Sequence, residues 1–154
     1  MGKMKKTVKL TQQGYDEKQQ EHTKLTSERV SALAELVRAR EMGDLSENAA
    51  YKVARSKLSG IDRRIRFLES ILKRVEVVQK RSDGKAGVGS IVTFTDENGE
   101  ITYTLVDGYE SDIGKGKISI YSPIGRAFLG RRKGDIVTVA VPAGNKQYSI
   151  VSIE

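Results

Sequence analysis

A heptad pattern of apolar residues in the middle of the chain constrains its fold more than any other sequence feature. The apolar positions alternate three and four residues apart, at Tyr51, Ala54, Leu58, Ile61, Ile65, Leu68, Leu72 and Val75. Charged residues fill many of the positions between them. Such a stripe is typical of a helix that packs against a second helix. The pattern therefore predicts a long amphipathic helix with a helical partner.

The preceding segment, residues 15–42, supplies that partner. Its apolar side is predicted from six residues: Leu25, Ala32, Leu33, Leu36, Val37 and Ala39. Gly43 favours the left-handed conformation that ends a helix, and Asp44 favours the N-cap of the next helix. Because the turn is so short, the two helices are expected to run antiparallel as a coiled-coil hairpin.

The second half of the chain has a different pattern, because both prolines and most glycines lie there. Alternating apolar residues predict several short strands, and the sequence at 96–99 contains an Asn-Gly hairpin-turn signal. Ser122 followed by Pro123 marks the start of one short helix. We therefore predict an α+β chain in which a curved antiparallel sheet and one short helix follow the hairpin. The predicted boundaries are a hairpin at 1–79 (helices at about 12–42 and about 45–78, tip at 43–48), a polar linker at 80–87 and a C-terminal domain at 88–154.

Composition narrows the classes of function. The formal net charge of +7 favours an anionic partner such as nucleic acid. The chain has no cysteine and a single histidine, His22, which excludes disulfides, thiolate chemistry and a Cys/His zinc site. The absence of cysteine fits a protein of the reducing cytoplasm. No apolar run reaches the ~20 residues of a membrane span, so we expect no membrane partner.

Two acidic residues at the predicted tip form the candidate functional site. Asp44 and Glu47 lie three residues apart, so at the start of a helix they share one side. One interpretation is structural, because an N-cap aspartate with a glutamate three residues later resembles a capping box. The other is chemical, because the pair stands at the end of a basic segment. Residues 51–81 contain ten Lys or Arg against three acidic residues.

The tip sequence Gly-Asp-Leu-Ser-Glu-Asn-Ala-Ala-Tyr, at residues 43–51, resembles the tip of the Gre transcript-cleavage factors, the GreA/GreB family. Three further segments are similar to this family in the same order, so the resemblance covers nearly the whole chain. They are Leu10-Thr11 with Gly14-Tyr15, residues 61–68, and Ser122-Pro123-Ile124-Gly125-Arg126-Ala127 with Leu129-Gly130. Two positions depart from the family pattern: Arg29-Val30 stands where an Arg-Pro pair is common, and Gly125 replaces a usual alanine.

The resemblance implies a role in transcription. Such factors enter the secondary channel of a backtracked bacterial RNA polymerase and stimulate the polymerase to cleave its own transcript. The implied catalytic residues are Asp44, as a ligand of a Mg²⁺ held jointly with the polymerase, and Glu47, which positions or deprotonates water. The isolated chain is then neither an enzyme nor a metal-binding protein.

Other residues receive expected roles around this site. Lys52 and Arg55 are expected to contact the 3′ end of backtracked RNA, although charged runs are often only solvated faces. The resemblance also implies an FKBP-like C-terminal domain that docks on the polymerase rim, in a cytoplasmic monomer. The expected supporting residues at the tip are Leu45, Ser46, Asn48 and Tyr51, with Tyr51 mainly closing the coiled coil, and the expected polymerase contacts are Ser122, Pro123 and Arg126.

Three alternative functions stay open at this point. A regulator that fills the channel without cleaving RNA needs no particular spacing of two carboxylates, so the intact pair argues against it. A prolyl isomerase needs an aromatic pocket for proline, and the chain has only three Phe and no Trp. A free-standing nuclease needs a complete metal site, which two carboxylates on one tip do not provide.

Overall fold

The computed structural model describes residues 5–44 and 47–154 and confirms an α+β chain with two compact units. The first unit is Tyr15–Val75 with residues 5–6, and the second is Thr7–Gly14 with Glu76–Glu154. In the described ranges, no helix is long and apolar enough to span a membrane. The elements in chain order are β1 (Val8–Leu10), α1 (Gln12–Arg40), α2 (Ala49–Leu72), β2 (Val75–Val77), β3 (Ile91–Asp96), β4 (Gly99–Val106), β5 (Lys117–Ser119), α3 (Pro123–Phe128), β6 (Ile136–Val141) and β7 (Gly144–Ile153).

The predicted seam of α2 is confirmed up to the end of the helix. Ala54, Ile61 and Leu68 are buried, and the alternate seam positions between them are half-buried. The seam of α1 is less apolar than predicted, because Leu33 and Val37 are 42% and 48% exposed. The half-buried or buried positions of α1 instead follow a three-and-four spacing that includes polar residues: His22, Leu25, Arg29, Ala32, Leu36 and Ala39.

Ion pairs between the helices complement this thin apolar seam. Arg64 donates two hydrogen bonds to the carboxylate of Glu21, from Nε at 2.6 Å and Nη2 at 3.0 Å. Three further ion pairs also join one helix to the other and so support the antiparallel register. These pairs are Arg29–Asp62 at 2.5 Å, Lys57–Glu35 at 3.1 Å and His22–Glu69 at 3.1 Å.

The helix ends differ from the predicted boundaries. α2 begins at Ala49 rather than about 45, and it ends at Leu72 rather than about 78. The segment Val75–Val77 forms strand β2, which pairs with β1, and the Val78 amide extends the pairing by donating to the Leu10 carbonyl at 2.9 Å. Val75, Val77 and Val78 are β-branched and fit a strand well. Because strand β1 is available to pair with this segment, the chain leaves the helix before Val75. Val75 is therefore not a seam residue of α2.

The second unit contains a five-stranded sheet in the order β5-β4-β3-β7-β6. The hairpin turn predicted at 96–99 joins β3 to β4, with Glu97 and Asn98 between the paired residues Asp96 and Gly99, and Gly99 has a positive φ of 131°. The prediction of an entirely antiparallel sheet is wrong, because β5 pairs with β4 in parallel. The chain between them passes through two 3₁₀ turns, Gly108–Glu110 and Ile113–Lys115, and so re-enters the sheet in the direction of β4.

A curled sheet surrounds the short helix α3. Ile118 of β5 and Val141 of β6 belong to strands at opposite edges of the sheet, yet both line the same apolar cleft as Pro123 and Ile124. Phe128, at the end of α3, is fully buried and lies with its ring centroid 4.8 Å from that of Phe94. The helix thus packs against the concave side of the sheet, and the two together form the core of this unit.

Residues 80–87, predicted as a linker, belong to the second unit. The backbone of Ala86 is fully buried and makes two hydrogen bonds at 2.8 Å, one to the Arg131 carbonyl and one from the Gly130 amide. Arg132 also donates from Nη1 to the Asp83 carbonyl at 3.0 Å. The polar composition of this segment therefore reflects its exposed side chains and not a free backbone.

Candidate functional site

The tip of the hairpin begins where α1 ends. The Met42 amide donates to the Ala39 carbonyl at 3.2 Å, which closes the last turn. Gly43 then adopts a positive φ of 120°, which confirms the predicted left-handed end of the helix. A side chain at this position would be strained by its backbone conformation alone.

Both candidate catalytic residues lie on the connection between the helices. Asp44 and Glu47 are exposed, whereas the supporting residues Leu45 and Ser46 lie outside the described residues. The prediction that Asp44 is the N-cap of the second helix is wrong, because the cap is Asn48. The N-cap of α2 is therefore neither of the two candidate carboxylates.

Asn48 uses both ends of its side-chain amide. Its Oδ1 accepts a hydrogen bond from the Tyr51 amide at 3.0 Å, which caps α2. Its Nδ2 donates to the Ala39 carbonyl at 2.7 Å, which joins the start of α2 to the end of α1. Tyr51 is half-buried, as expected for a residue that closes the coiled coil. Sequence reasoning named Asn48 only as a polar support, since the carbonyl it bonds is distant in sequence.

The outward side of α2 carries four positively charged side chains, Lys52, Arg55, Arg63 and Arg66. We call this surface the basic face. With 3.6 residues per turn, these four positions fall within about 80° of the helix circumference. All four are exposed, and the ion pairs that join α2 to α1 involve other residues of α2. Lys57 and Arg64 pair with acidic residues of α1, so they contribute less free charge than the sequence count suggested. For RNA contact the sequence named only Lys52 and Arg55, although the spacing of Arg63 and Arg66 places them on the same side of the helix.

The C-terminal signature forms the start of α3. The Ser122 hydroxyl accepts a hydrogen bond from the Gly125 amide at 3.0 Å and donates to the Ser119 carbonyl at 2.6 Å, so this residue is a helix cap. Pro123 and Arg126 are exposed on the same short helix. A Cβ at Gly125 would collide with the Ser119 carbonyl oxygen, which explains why alanine is absent here.

The surroundings of α3 are apolar and partly exposed, which the sequence did not indicate. The side chains of Ile113 and Tyr121 are 75% and 56% exposed, beside the cleft that Pro123 and Ile124 line. Exposed apolar patches rimmed by polar residues are typical of protein interfaces. The cleft therefore adds an apolar component to the surface on which Pro123 and Arg126 lie.

Within the described ranges, no three His, Cys, Asp or Glu side chains lie close enough together to hold a metal ion. Two carboxylates offer only part of the oxygen coordination that Mg²⁺ requires. A Mg²⁺ ion at the tip would therefore need further ligands from outside these two carboxylates.

Comparison with known proteins identifies similar sequences along both units. Residues 8–77 match the family profile described as transcription elongation factor, N-terminal, and residues 81–154 match the profile described as transcription elongation factor, GreA/GreB, C-term. The transcription elongation factor GreA of Paracoccus denitrificans is 41% identical over 150 residues, which cover 95% of this chain and 96% of that protein. GreA of Thioalkalivibrio sulfidiphilus is 41% identical over 151 residues, covering 94% and 96%. A solved structure of the transcription factor Gfh1 is 30% identical, covers 98% of this chain and 99% of its own, and has a TM-score of 0.50.

Proposed function

Because this chain belongs to the GreA/GreB family of transcription elongation factors, we propose that it enters the secondary channel of bacterial RNA polymerase and stimulates cleavage of backtracked RNA. The polymerase performs the hydrolysis, and the chain rescues arrested complexes without being an enzyme itself. It acts in the cytoplasm as a monomer.

One observation carries this proposal: Asp44 and Glu47 are exposed on the connection between the helices, while Asn48 caps α2. The N-cap hydrogen bond of α2 is made by Asn48, whose Oδ1 accepts from the Tyr51 amide. Here the capping function belongs to a neighbouring residue, so the two acidic side chains are not required for it. Their presence three residues apart is then better explained by chemistry than by helix formation.

Asp44 and Glu47 would hold Mg²⁺ jointly with the polymerase. Bound there, the ion would stabilise the attacking and leaving oxygens of phosphodiester hydrolysis. Asp44 serves as the ligand contributed by this chain, and Glu47 orients or deprotonates the attacking water. Both side chains need to reach the reacting phosphate together, which a tip connection allows and the side of a helix would hinder.

The basic face supports contact with the extruded RNA. Lys52 and Arg55 lie on the first two turns of α2, and Arg63 and Arg66 continue the same side further along the helix. Exposed cations of one sign bind phosphates by releasing counterions. Lys52 and Arg55 thus guide the RNA 3′ end toward the carboxylates, and the whole face extends the contact.

The surface around α3 supports docking on the polymerase rim. Pro123 and Arg126 are exposed beside an apolar cleft, while Ser122 fixes the start of the helix that presents them. A mixed surface with an apolar centre and a polar edge is typical of protein interfaces. Ser122 then contributes to docking mainly by holding the helix in place.

The test is a stalled, backtracked elongation complex with end-labelled RNA in Mg²⁺. We expect the wild-type chain to shorten the transcript, and Asp44→Ala or Glu47→Ala to slow cleavage on the order of 100-fold while still competing for polymerase. Glu41→Ala is the matched control, because it removes an exposed carboxylate next to the tip but outside the pair. Equal losses in all three variants would attribute the effect to net charge and not to the pair.

Two other outcomes would overturn the proposal. A wild-type chain that binds polymerase but leaves the transcript intact would be a channel regulator that does not promote cleavage. A wild-type chain that cuts naked RNA without polymerase would be a nuclease, and the shared-metal interpretation would fail.

A further inference from the structure

The hydrogen bond between Asn48 and Ala39 closes the tip connection at its base. The Ala39 carbonyl accepts from the Asn48 side-chain amide at 2.7 Å and from the Met42 amide at 3.2 Å. The residues from Arg40 to Glu47, which include both catalytic candidates, lie between the two ends of this bond. We call the hydrogen bond between Asn48 Nδ2 and the Ala39 carbonyl the clasp.

We propose that Asn48 is a positioning residue, whose clasp holds the tip connection closed so that Asp44 and Glu47 reach one reacting centre together. This inference rests on the proposed function, because positioning matters only if the two carboxylates act as a pair. Asn48 itself would touch neither the RNA nor the metal. Its effect passes through the backbone that carries Asp44 and Glu47.

The residue type supports a role beyond capping. Asp, Ser, Thr and Asn all serve as good N-caps, because each presents an oxygen to the first free amides of the helix. A Ser or Thr hydroxyl can also donate and accept, but it does so from one atom on a short side chain, whereas Asn carries its acceptor oxygen and its donor NH₂ on two separate atoms. The second hydrogen bond uses that NH₂, so asparagine satisfies both requirements at once.

The site of the clasp also supports the proposal. Ala39 is buried in the seam and lines the same cleft as Ala54, the first buried seam residue of α2. Small residues on both helices leave little apolar surface to hold the helix ends together near the tip. A short polar contact between the ends therefore has more influence on the tip than it would have beside a large apolar core.

Catalysis depends steeply on such placement, since a misplacement of about 1 Å can reduce a rate by about 100-fold. A loop pinned at its base has fewer conformations than a loop attached only through its two helices. Loss of the clasp should therefore reduce the fraction of time in which both carboxylates are aligned. Binding to polymerase through other surfaces should change little.

The key variant is Asn48→Ser, which keeps an N-cap oxygen but has no amide to donate to Ala39. In the cleavage assay we expect its maximal rate to fall roughly five- to tenfold, with the half-saturating concentration of factor unchanged. Asn48→Ala, which loses the cap as well, should fall further and also lose helix stability. Thr11→Ala is a control for lost stability away from the tip, because the Thr11 hydroxyl accepts from the Gly14 amide at 3.0 Å at the other end of α1 and also donates to Glu110.

A second measurement does not depend on activity. The chain has no cysteine. In a double variant with Arg38→Cys and Glu47→Cys, the two introduced cysteines are therefore the sites to which spin labels attach. In the labelled chain that keeps Asn48, the distribution of distances between the two labels should be narrow. Adding Asn48→Ser should broaden it, and adding Thr11→Ala should leave it narrow. Such a result together with the reduced maximal rate supports the clasp.

The two proposals fail in different ways. If wild type cleaves and Asn48→Ser cleaves equally well, the clasp is overturned while the proposed function stands. If wild type does not cleave, the proposed function fails, and an unchanged label distribution in Asn48→Ser overturns the clasp independently. A raised half-saturating concentration with an unchanged maximal rate would instead make Asn48 a binding residue and overturn the positioning role.

Discussion

The two units are stabilised by different means. In the second unit, the rings of Phe94, Phe128 and Tyr148 form a buried cluster with centroids 4.8 to 6.4 Å apart. In the hairpin, the buried seam positions nearest the tip are the alanines Ala39 and Ala54, and ion pairs join the helices. Apolar burial therefore stabilises the second unit far more strongly than the working end of the hairpin. A narrow tip that presents two carboxylates has no room for a large core, so polar contacts must hold it.

The largest effect is expected from the aromatic cluster. Phe128→Ala removes a fully buried ring and should lower the free energy of unfolding of the second unit by about 3–5 kcal/mol. Urea unfolding followed by the near-ultraviolet signal of the tyrosines would measure this loss. The comparison variant is Leu58→Ala, at a half-buried seam position of the hairpin, with an expected cost of about 1–2 kcal/mol. Equal costs for the two truncations would contradict the contrast between the units.

Features set by adjacent residues were predictable from sequence, and α3 shows why. Its cap and first residue, Ser122 and Pro123, act through bonds within one turn, so the pattern alone located the helix. The hairpin turn at 96–99 is local in the same way. The seam of α2 was equally accessible, because its periodicity repeats over the whole helix.

Features set by distant partners were not predictable in this way. The run from Val75 becomes a strand because Val8–Leu10 lies beside it, more than sixty residues earlier in the chain. Asp44 and Asn48 are both good N-caps by type, and the hydrogen bond to Ala39 distinguishes them only in the folded hairpin. The candidate carboxylates were found from the sequence, whereas the residue that caps the helix beside them was not.

A substitution at Gly60 is expected to raise the free energy of unfolding of the hairpin, by less than Phe128→Ala lowers that of the second unit. This glycine lies inside α2, and a Cβ there would meet no atom within 4 Å. Gly60→Ala should therefore stabilise the hairpin by up to about 1 kcal/mol, because alanine loses less backbone entropy in a helix. Thermal unfolding monitored by the helical circular dichroism signal would detect the gain.

Gly125→Ala is the informative counterpart in the second unit. There the added Cβ would collide with the Ser119 carbonyl oxygen, so the same substitution should destabilise. A loss of stability in Gly60→Ala would show that the hairpin seam is more tightly packed than the contrast between the units requires.

The smallest effect tests whether ion pairs contribute to the hairpin at all. The hydrogen bonds from Arg64 hold the pKa of Glu21 below its ordinary value of 4.5. Because the pKa is lowered in the folded state, the stabilisation is present above about pH 5 and is lost as the pH falls through the folded-state pKa. The side chains of Glu21 and Arg64 are 35% and 42% exposed, so solvent screening limits the contribution to at most about 0.5 kcal/mol.

The pH dependence of Glu21→Gln provides the measurement. The difference in free energy of unfolding between wild type and this variant should be greatest near pH 7 and should shrink toward pH 3 or in high salt. Glu28→Gln is the control, since Glu28 faces only Lys24 on its own helix, at 3.8 Å. A Glu21→Gln difference that stayed constant with pH and salt would mean that the carboxylate contributes by packing and not by charge. The hairpin would then depend on its thin apolar seam alone, and the contrast with the aromatic unit would be one of degree.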